Sequence, residues 1–237
     1  LRVGKDTPQE IYTKASHLTK AGLGFPQYSN DDIVIPALEK LGYEHKDACN
    51  YTVAACWEFI IPFVGADVAN IGALSYAKAI DTAFHKDLIK SETYEDFFFA
   101  VQKRINEQCD EICAGLDNLW FIPSPFMNVL MDCDIYNGGK YNNFGIHGTG
   151  IASAADSLAA TKKYVFAEKS ISKEEYIKAV DRNFENDNIL LHKLRFESPK
   201  HGNNDDYVDG IAVKLLDTFA DSLEGRKNCR GGIFRAG

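Results

Sequence analysis

The sequence predicts a helix-rich α/β fold with few short strands, and three observations predict it. Long segments carry apolar residues at helical spacing behind recognisable cap residues. Short apolar runs with β-branched and aromatic residues lie between them. Glycine-rich stretches separate the two kinds, an alternation that favours an α/β organisation over an all-α or all-β one.

The elements follow in chain order. A helix is expected over 8–21, with Thr7 as N-cap, Pro8 at the first helical position and Glu10 at the third, ended by Gly22-Leu23-Gly24. Residues 25–32 (FPQYSNDD) read as polar loop. A second helix is expected over 33–41, capped by Asn30, Asp31 or Asp32 and stopped by Gly42. Residues 51–63 read as a buried strand leading into a loop, and 69–84 as a helix through Ile71, Leu74, Ala77 and Ile80. The spacing of Phe97, Phe98, Val101, Ile105 and Cys109 predicts a long helix over 94–116. A short helix over 126–131 and a glycine-rich loop over 138–150 come next, then helices over 152–166, 172–182, 187–196 and 207–223. Ser172 with Glu175 forms a capping-box pair, and the polar run 203–206 caps the last helix.

Composition narrows the function classes. The chain has 237 residues, 45% hydrophobic and 25% charged, enough to bury a core. A net charge of −8 excludes the basic stripe a nucleic-acid surface needs, and the longest apolar runs fall far short of a membrane span. Without a signal peptide, the six cysteines read as reduced thiols and the expected localisation is cytoplasmic. Cys109 and Cys113 share a helix face with no zinc-ligand spacing around them, so packing is their expected role and no metal is expected.

Cys56-Trp57-Glu58 is the sharpest local feature. A thiol and a carboxylate two residues apart at a strand-to-loop transition reach one cavity if the chain turns there. The thiol serves as nucleophile or hydrogen-atom carrier, and a buried glutamate, its pKa raised by burial, moves protons. On spacing alone, a structural cysteine is the favoured reading. A Cys-dependent hydrolase would need a base, for which His45 and His147 are the candidates. The 138–150 stretch lacks both nucleotide-binding patterns, and 203–206 lacks the spacing of a calcium loop.

Taken in order, five stretches resemble the pyruvate formate-lyase-like domain of glycyl radical enzymes: GLGFPQYSNDDIVIPAL (22–38), the C-x-E segment (51–62), GGKYNNFGIHGTGIASAADSL (138–158), SPKHGNNDDYVD (198–209) and GGIFRAG (231–237). The G-x-G-I-A-x-x-A-D-S-L and P-K-x-G-N-x-D-x-Y-V-D runs are the most specific, and the C-x-E is similar to that of the diol-dehydratase, amine-lyase and decarboxylase branch. Two departures stand out. The tract reads Ala55-Cys56-Trp57-Glu58-Phe59 where the family usually has Gly-Cys-Val-Glu-Pro, and no Arg-Val-Ser/Ala-Gly-Tyr-like glycyl loop occurs in these residues.

What the resemblance implies is a mechanism and a frame. Cys56 would carry a thiyl radical and Glu58 would be the acid/base, with Phe25, Tyr141, Asn143 and His147 lining the substrate cavity. The chain, 1–237, would be a partial catalytic domain truncated at both ends, the C-terminal half of a ten-stranded barrel and inactive alone. The glycyl radical would lie beyond Gly237, installed by a separate radical-SAM activase. The implied partners are a small-molecule substrate, that activase and a second copy in a homodimer, with no nucleic acid or membrane. The whole protein would be a lyase or dehydratase cleaving a C–O, C–N or C–C bond. The alternative is a half-barrel scaffold or binding module without radical chemistry.

Overall fold

A computed structural model describes the chain except Ala55, Cys56, Pro123, Tyr136 and Asn137. In chain order the elements are β1 (Arg2–Val3), α1 (Gln9–Lys20), β2 (Ser29–Asn30), α2 (Asp31–Lys40), α3 (His45–Cys49), β3 (Thr52–Ala54), β4 (Glu58–Ile60), β5 (Val68–Ser75), α4 (Tyr76–Lys86), α5 (Tyr94–Gly115), α6 (Pro125–Leu130), β6 (Phe144–Thr149), α7 (Ile151–Thr161), α8 (Lys173–Asp181), α9 (Asn188–His192), α10 (Asp206–Leu223) and β7 (Phe234–Ala236). The helix-rich α/β class with short strands is what the sequence predicts. Among the described residues, no helix is long and apolar enough to cross a membrane.

The chain divides into two compact units: residues 1–66 with 124–141, and residues 67–123 with 142–237. In the first, β1 and β2 form a parallel pair and β3 and β4 an antiparallel hairpin. Its core is small: Leu38, Tyr43, Ala48, Tyr51, Ile61 and Tyr141. Polar fasteners supplement it. The Arg2 guanidinium grips the Asp31 carboxylate, donates to the Cys49 and Tyr51 carbonyls and lies 4.1 Å from the Tyr51 ring centroid. The Tyr51 hydroxyl donates to the same Asp31 at 2.6 Å.

In the second unit, β5, β6 and β7 form a parallel sheet in that order, with β6 central. Helix α4 packs on α5 and α7, α10 packs on the same two helices, and α5 and α10 also reach the sheet. The apolar stripe of α5 (Phe97, Val101, Ile105, Cys109) is fully buried, as its spacing requires, and meets Phe144, Ile146, Leu158 and Leu215 in one cluster. Cys109 and Cys113 are packing thiols, and burial pushes the Cys109 pKa up to about 12. Capping boxes open α5 at Thr93 with Asp96 and α8 at Ser172 with Glu175, and Asp205 caps α10.

Several expectations need correction. Residues 69–84 are not one helix. Through Ser75 they belong to β5, and the Ser75 hydroxyl accepts from the Lys78 N–H to open α4. The glycine-rich 138–150 stretch contains the central strand β6. A side chain at Gly145 would meet the Ala69 carbonyl, which bulges toward it where the β5 register shifts between Val68 and Gly72. A side chain at Gly148 would strike the Tyr76 ring. These glycines answer to crowding, not to looping. The 51–63 segment is a hairpin of half-exposed strands, not one buried strand. Pro8, not Thr7, precedes α1, because the Thr7 hydroxyl accepts from the Gly4 N–H instead. Helices α7 and α9 run on into wider π-type turns at Lys162–Ala167 and Lys193–Glu197.

Candidate active site

The β3–β4 hairpin builds the first part of the site. Its register pairs Thr52 with Ile60, Val53 with Phe59 and Ala54 with Glu58, so Glu58 opens the second strand directly after the connection. Trp57, the residue before it, has φ 151°, a region L side chains rarely adopt and hold at about 1–3 kcal/mol. Local hydrogen bonding holds it there. The Trp57 N–H donates to the Ala54 carbonyl at 3.2 Å and to Glu58 Oε2 at 3.0 Å. Glu58 is 8% exposed, so its carboxylate leaves water and takes a backbone donor in exchange. Cys56 lies outside the described residues.

Beside the hairpin, within the first unit, is a cleft of about 590 Å³. Leu1, Leu18, Leu23, Phe25, Pro26, Val53 and Trp57 give it apolar walls, and Gln27 and Ser29 are its polar residues. Its size is that of a small-molecule site. The cleft joins two features the sequence singles out, the Phe25 loop and the C-x-E hairpin, through Phe25 and Trp57. Phe25 is 72% exposed, its side chain free to meet a ligand.

Tyr141 is engaged otherwise. Its hydroxyl donates to Asp47 Oδ2 at 2.6 Å and accepts from the Glu44 N–H at 3.0 Å, and its ring lies 4.5 Å from that of Tyr43. Lys140 Nζ reaches the same Asp47 oxygen at 2.6 Å and Glu44 at 2.7 Å. Hydrogen bonds from Lys140 and then Tyr141 hold the Asp47 carboxyl below its ordinary range, while burial and the bond to Asp47 push the Tyr141 hydroxyl up. Tyr141 is not among the described residues that line the cleft.

Asn143 and His147 belong to the second unit. The Asn143 N–H donates to Asp67 Oδ1 at 2.6 Å, its carbonyl accepts from Val68 at 3.0 Å and its Oδ1 accepts from Ile233 at 3.1 Å. It thus clasps the starts of all three strands. His147 lies opposite Ala73 on β6, on the strand face shared by Gly145. The 231–237 run docks along β6 as β7, where the Gly237 N–H donates to the Ile146 carbonyl and its own carbonyl accepts from Gly148. Sequence reasoning missed one cluster, although its signal was present in the two most family-specific runs. The His201 N–H donates to Asp156 Oδ1 at 2.7 Å, its Nδ1 lies 2.8 Å from Asp209, and the Gly202 N–H also reaches Asp209. The motifs bind each other. Among the described residues no His, Cys, Asp and Glu cluster could hold a metal ion.

Comparison with known proteins bears on this geometry. The family described as pyruvate formate lyase-like matches residues 1–237. The chain is 28% identical to trans-4-hydroxy-L-proline dehydratase of Clostridioides difficile, over 99% of this chain and 33% of the relative. It is 28% identical to (2S)-3-sulfopropanediol dehydratase of Klebsiella oxytoca, over 100% of this chain and 32% of the relative. The solved B12-independent glycerol dehydratase of Clostridium butyricum superposes with a TM-score of 0.83 at 26% identity, covering 99% of this chain and 33% of that one. The chain therefore spans about a third of the length of these relatives.

Proposed function

Because this chain belongs to the pyruvate formate lyase-like family, we propose that the protein it represents is a glycyl radical lyase or dehydratase, cleaving a C–O, C–N or C–C bond of a small substrate. The observation that carries the proposal is the buried Glu58 at the start of β4, two residues after Cys56, on a hairpin whose Trp57 lines an apolar cleft. The names of the relatives, dehydratases of hydroxylated small molecules, support the class.

In this reading the chain contributes part of a ten-stranded barrel. A glycyl radical outside these residues, installed by a radical-SAM activase, supplies the hydrogen-atom abstraction that starts turnover. Cys56 relays it, its sulfur taking a hydrogen atom from the substrate carbon and returning one at the end. Glu58 holds or accepts the proton of the substrate hydroxyl or leaving group at Oε1 or Oε2. Glu58, though not among the described residues that line the cleft, is itself buried beside Trp57, and that burial keeps water from screening its carboxylate. Phe25 packs on the substrate. Tyr141 acts from behind, keeping the 44–47 segment in place. Asn143 and His147 are the proposed contacts contributed by the sheet.

Anaerobic activation of the complete protein with its activase tests the proposal by electron paramagnetic resonance. A glycyl doublet is expected. Its absence with an activase proven on another substrate enzyme overturns the assignment and favours the scaffold reading, which the Ala55-Cys56-Trp57-Glu58-Phe59 departure motivates.

A further inference from the structure

In the first unit, Glu39, His45 and Cys49 form a line. Glu39 Oε1 lies 2.6 Å from His45 Nδ1, and His45 Nε2 lies 3.4 Å from Cys49 Sγ. The order is informative. A carboxylate on Nδ1 fixes the proton on that nitrogen, which leaves Nε2 as the acceptor facing the thiol. Helix α3 sets the second contact, since residues 45 and 49 are one turn apart, and the Gly42 turn after α2 delivers Glu39 to the first. Arg2, ion-paired with Asp31, donates to the Cys49 carbonyl at 3.0 Å and so ties down the end of the helix that carries the thiol. Cys49 is half-buried and free, and His45 is largely exposed, so reagents reach the pair.

We propose that Cys49 is a peroxide-reactive thiol, activated by His45 and oriented through it by Glu39. The Cys49 proton passes to His45 Nε2. The thiolate then attacks one oxygen of a hydroperoxide, an S–O bond forms and the O–O bond breaks. The departing hydroxide or alkoxide takes the proton from His45. Sulfur is oxidised by two electrons to the sulfenic acid, and the peroxide is reduced to water or an alcohol. His45, which the sequence offers as a base for Cys56, has its ring nitrogens directed to Glu39 and Cys49. Cys133 and Cys229 supply an internal contrast, because the contacts of their sulfurs are backbone carbonyls, which accept a proton bond but cannot take up the proton.

The test treats the complete reduced chain with hydrogen peroxide, traps sulfenic acid with dimedone and reads each cysteine by peptide mass spectrometry. Cys49 is expected to be trapped about tenfold faster than Cys229, although Cys229 is the more exposed. His45→Gln is expected to bring Cys49 down to the Cys229 rate while leaving Cys229 unchanged, and Glu39→Gln to lower it less. The ratio within one molecule guards against misfolding of a variant. As a second measurement on the unaltered chain, iodoacetamide at neutral pH should alkylate Cys49 faster than Cys229. Equal rates at the two cysteines with either reagent, or a Cys49 rate untouched by His45→Gln, would each overturn the proposal.

Discussion

In the second unit Phe97, Phe144, Leu158 and Leu215 are wholly excluded from water, and helices α4, α5, α7 and α10 interlock through such residues. In the first unit the buried set is a handful in which tyrosines recur, and each of Tyr51 and Tyr141 is held by an aspartate as much as by its neighbours' carbon. The strained Trp57, the buried Glu58 and the apolar cleft all lie in this lightly packed unit. Strain and buried charge are tolerated where polar bonds fix the backbone locally.

The sharpest break of that contrast would come from truncation in the heavy core. Phe97→Ala, which removes a fully buried ring stacked on Phe166, is expected to destabilise the chain by about 3–5 kcal/mol in urea unfolding. A loss under about 1 kcal/mol would mean that the second unit does not depend on this packing. Tyr141→Phe probes the other side. It keeps the ring and deletes one hydroxyl that both donates and accepts, so about 1–2 kcal/mol is expected, with hydrogen exchange rising first at the Glu44 amide. No change there would place Tyr141 among substrate contacts instead of fasteners.

Carboxylates and a histidine give the chain pH responses of opposite sign. Asp31 and Asp47 are held below the ordinary 3.8, by the Arg2 hydrogen bond and the Lys140 hydrogen bond respectively, so the folded state binds fewer protons than the unfolded one. Their contribution is complete above that value and is lost as pH falls below it. His85 in the second unit is raised above 6.5, chiefly by its bond to the Asp81 carbonyl and next by Asp181. Its contribution is present below 6.5 and lost as pH rises through the shifted value. Hydrogen exchange against pH should show the first unit loosening in acid, and the α4–α8 contact loosening as pH rises beyond 6.5.

How much the sequence reveals follows the same division. Helix α5 was legible from its apolar stripe, and α8 from the Ser172–Glu175 capping box. Strand β5 was not, since Ile71 and Leu74 fall at a spacing that suits a helix as well as a strand, and only the Ser75 cap marks the change. Strand β6 was hidden because the bulged Ala69 carbonyl and the Tyr76 ring demand Gly145 and Gly148, and glycine reads as loop. Of the candidate site, the C-x-E and the Phe25 loop were legible as motifs. The Asp47–Tyr141 fastening and the His201–Asp156 bond were not, because each joins residues far apart in the chain.

The central claim, that Cys56 and Glu58 divide hydrogen-atom and proton transfer between them, is tested most directly by turnover of the activated complete protein with Glu58→Gln beside Cys56→Ser. Both variants should still accept a glycyl radical and both should lose turnover, Glu58→Gln by about 10²-fold or more. Turnover of Glu58→Gln within about threefold of the unaltered protein, at equal radical content, would contradict it.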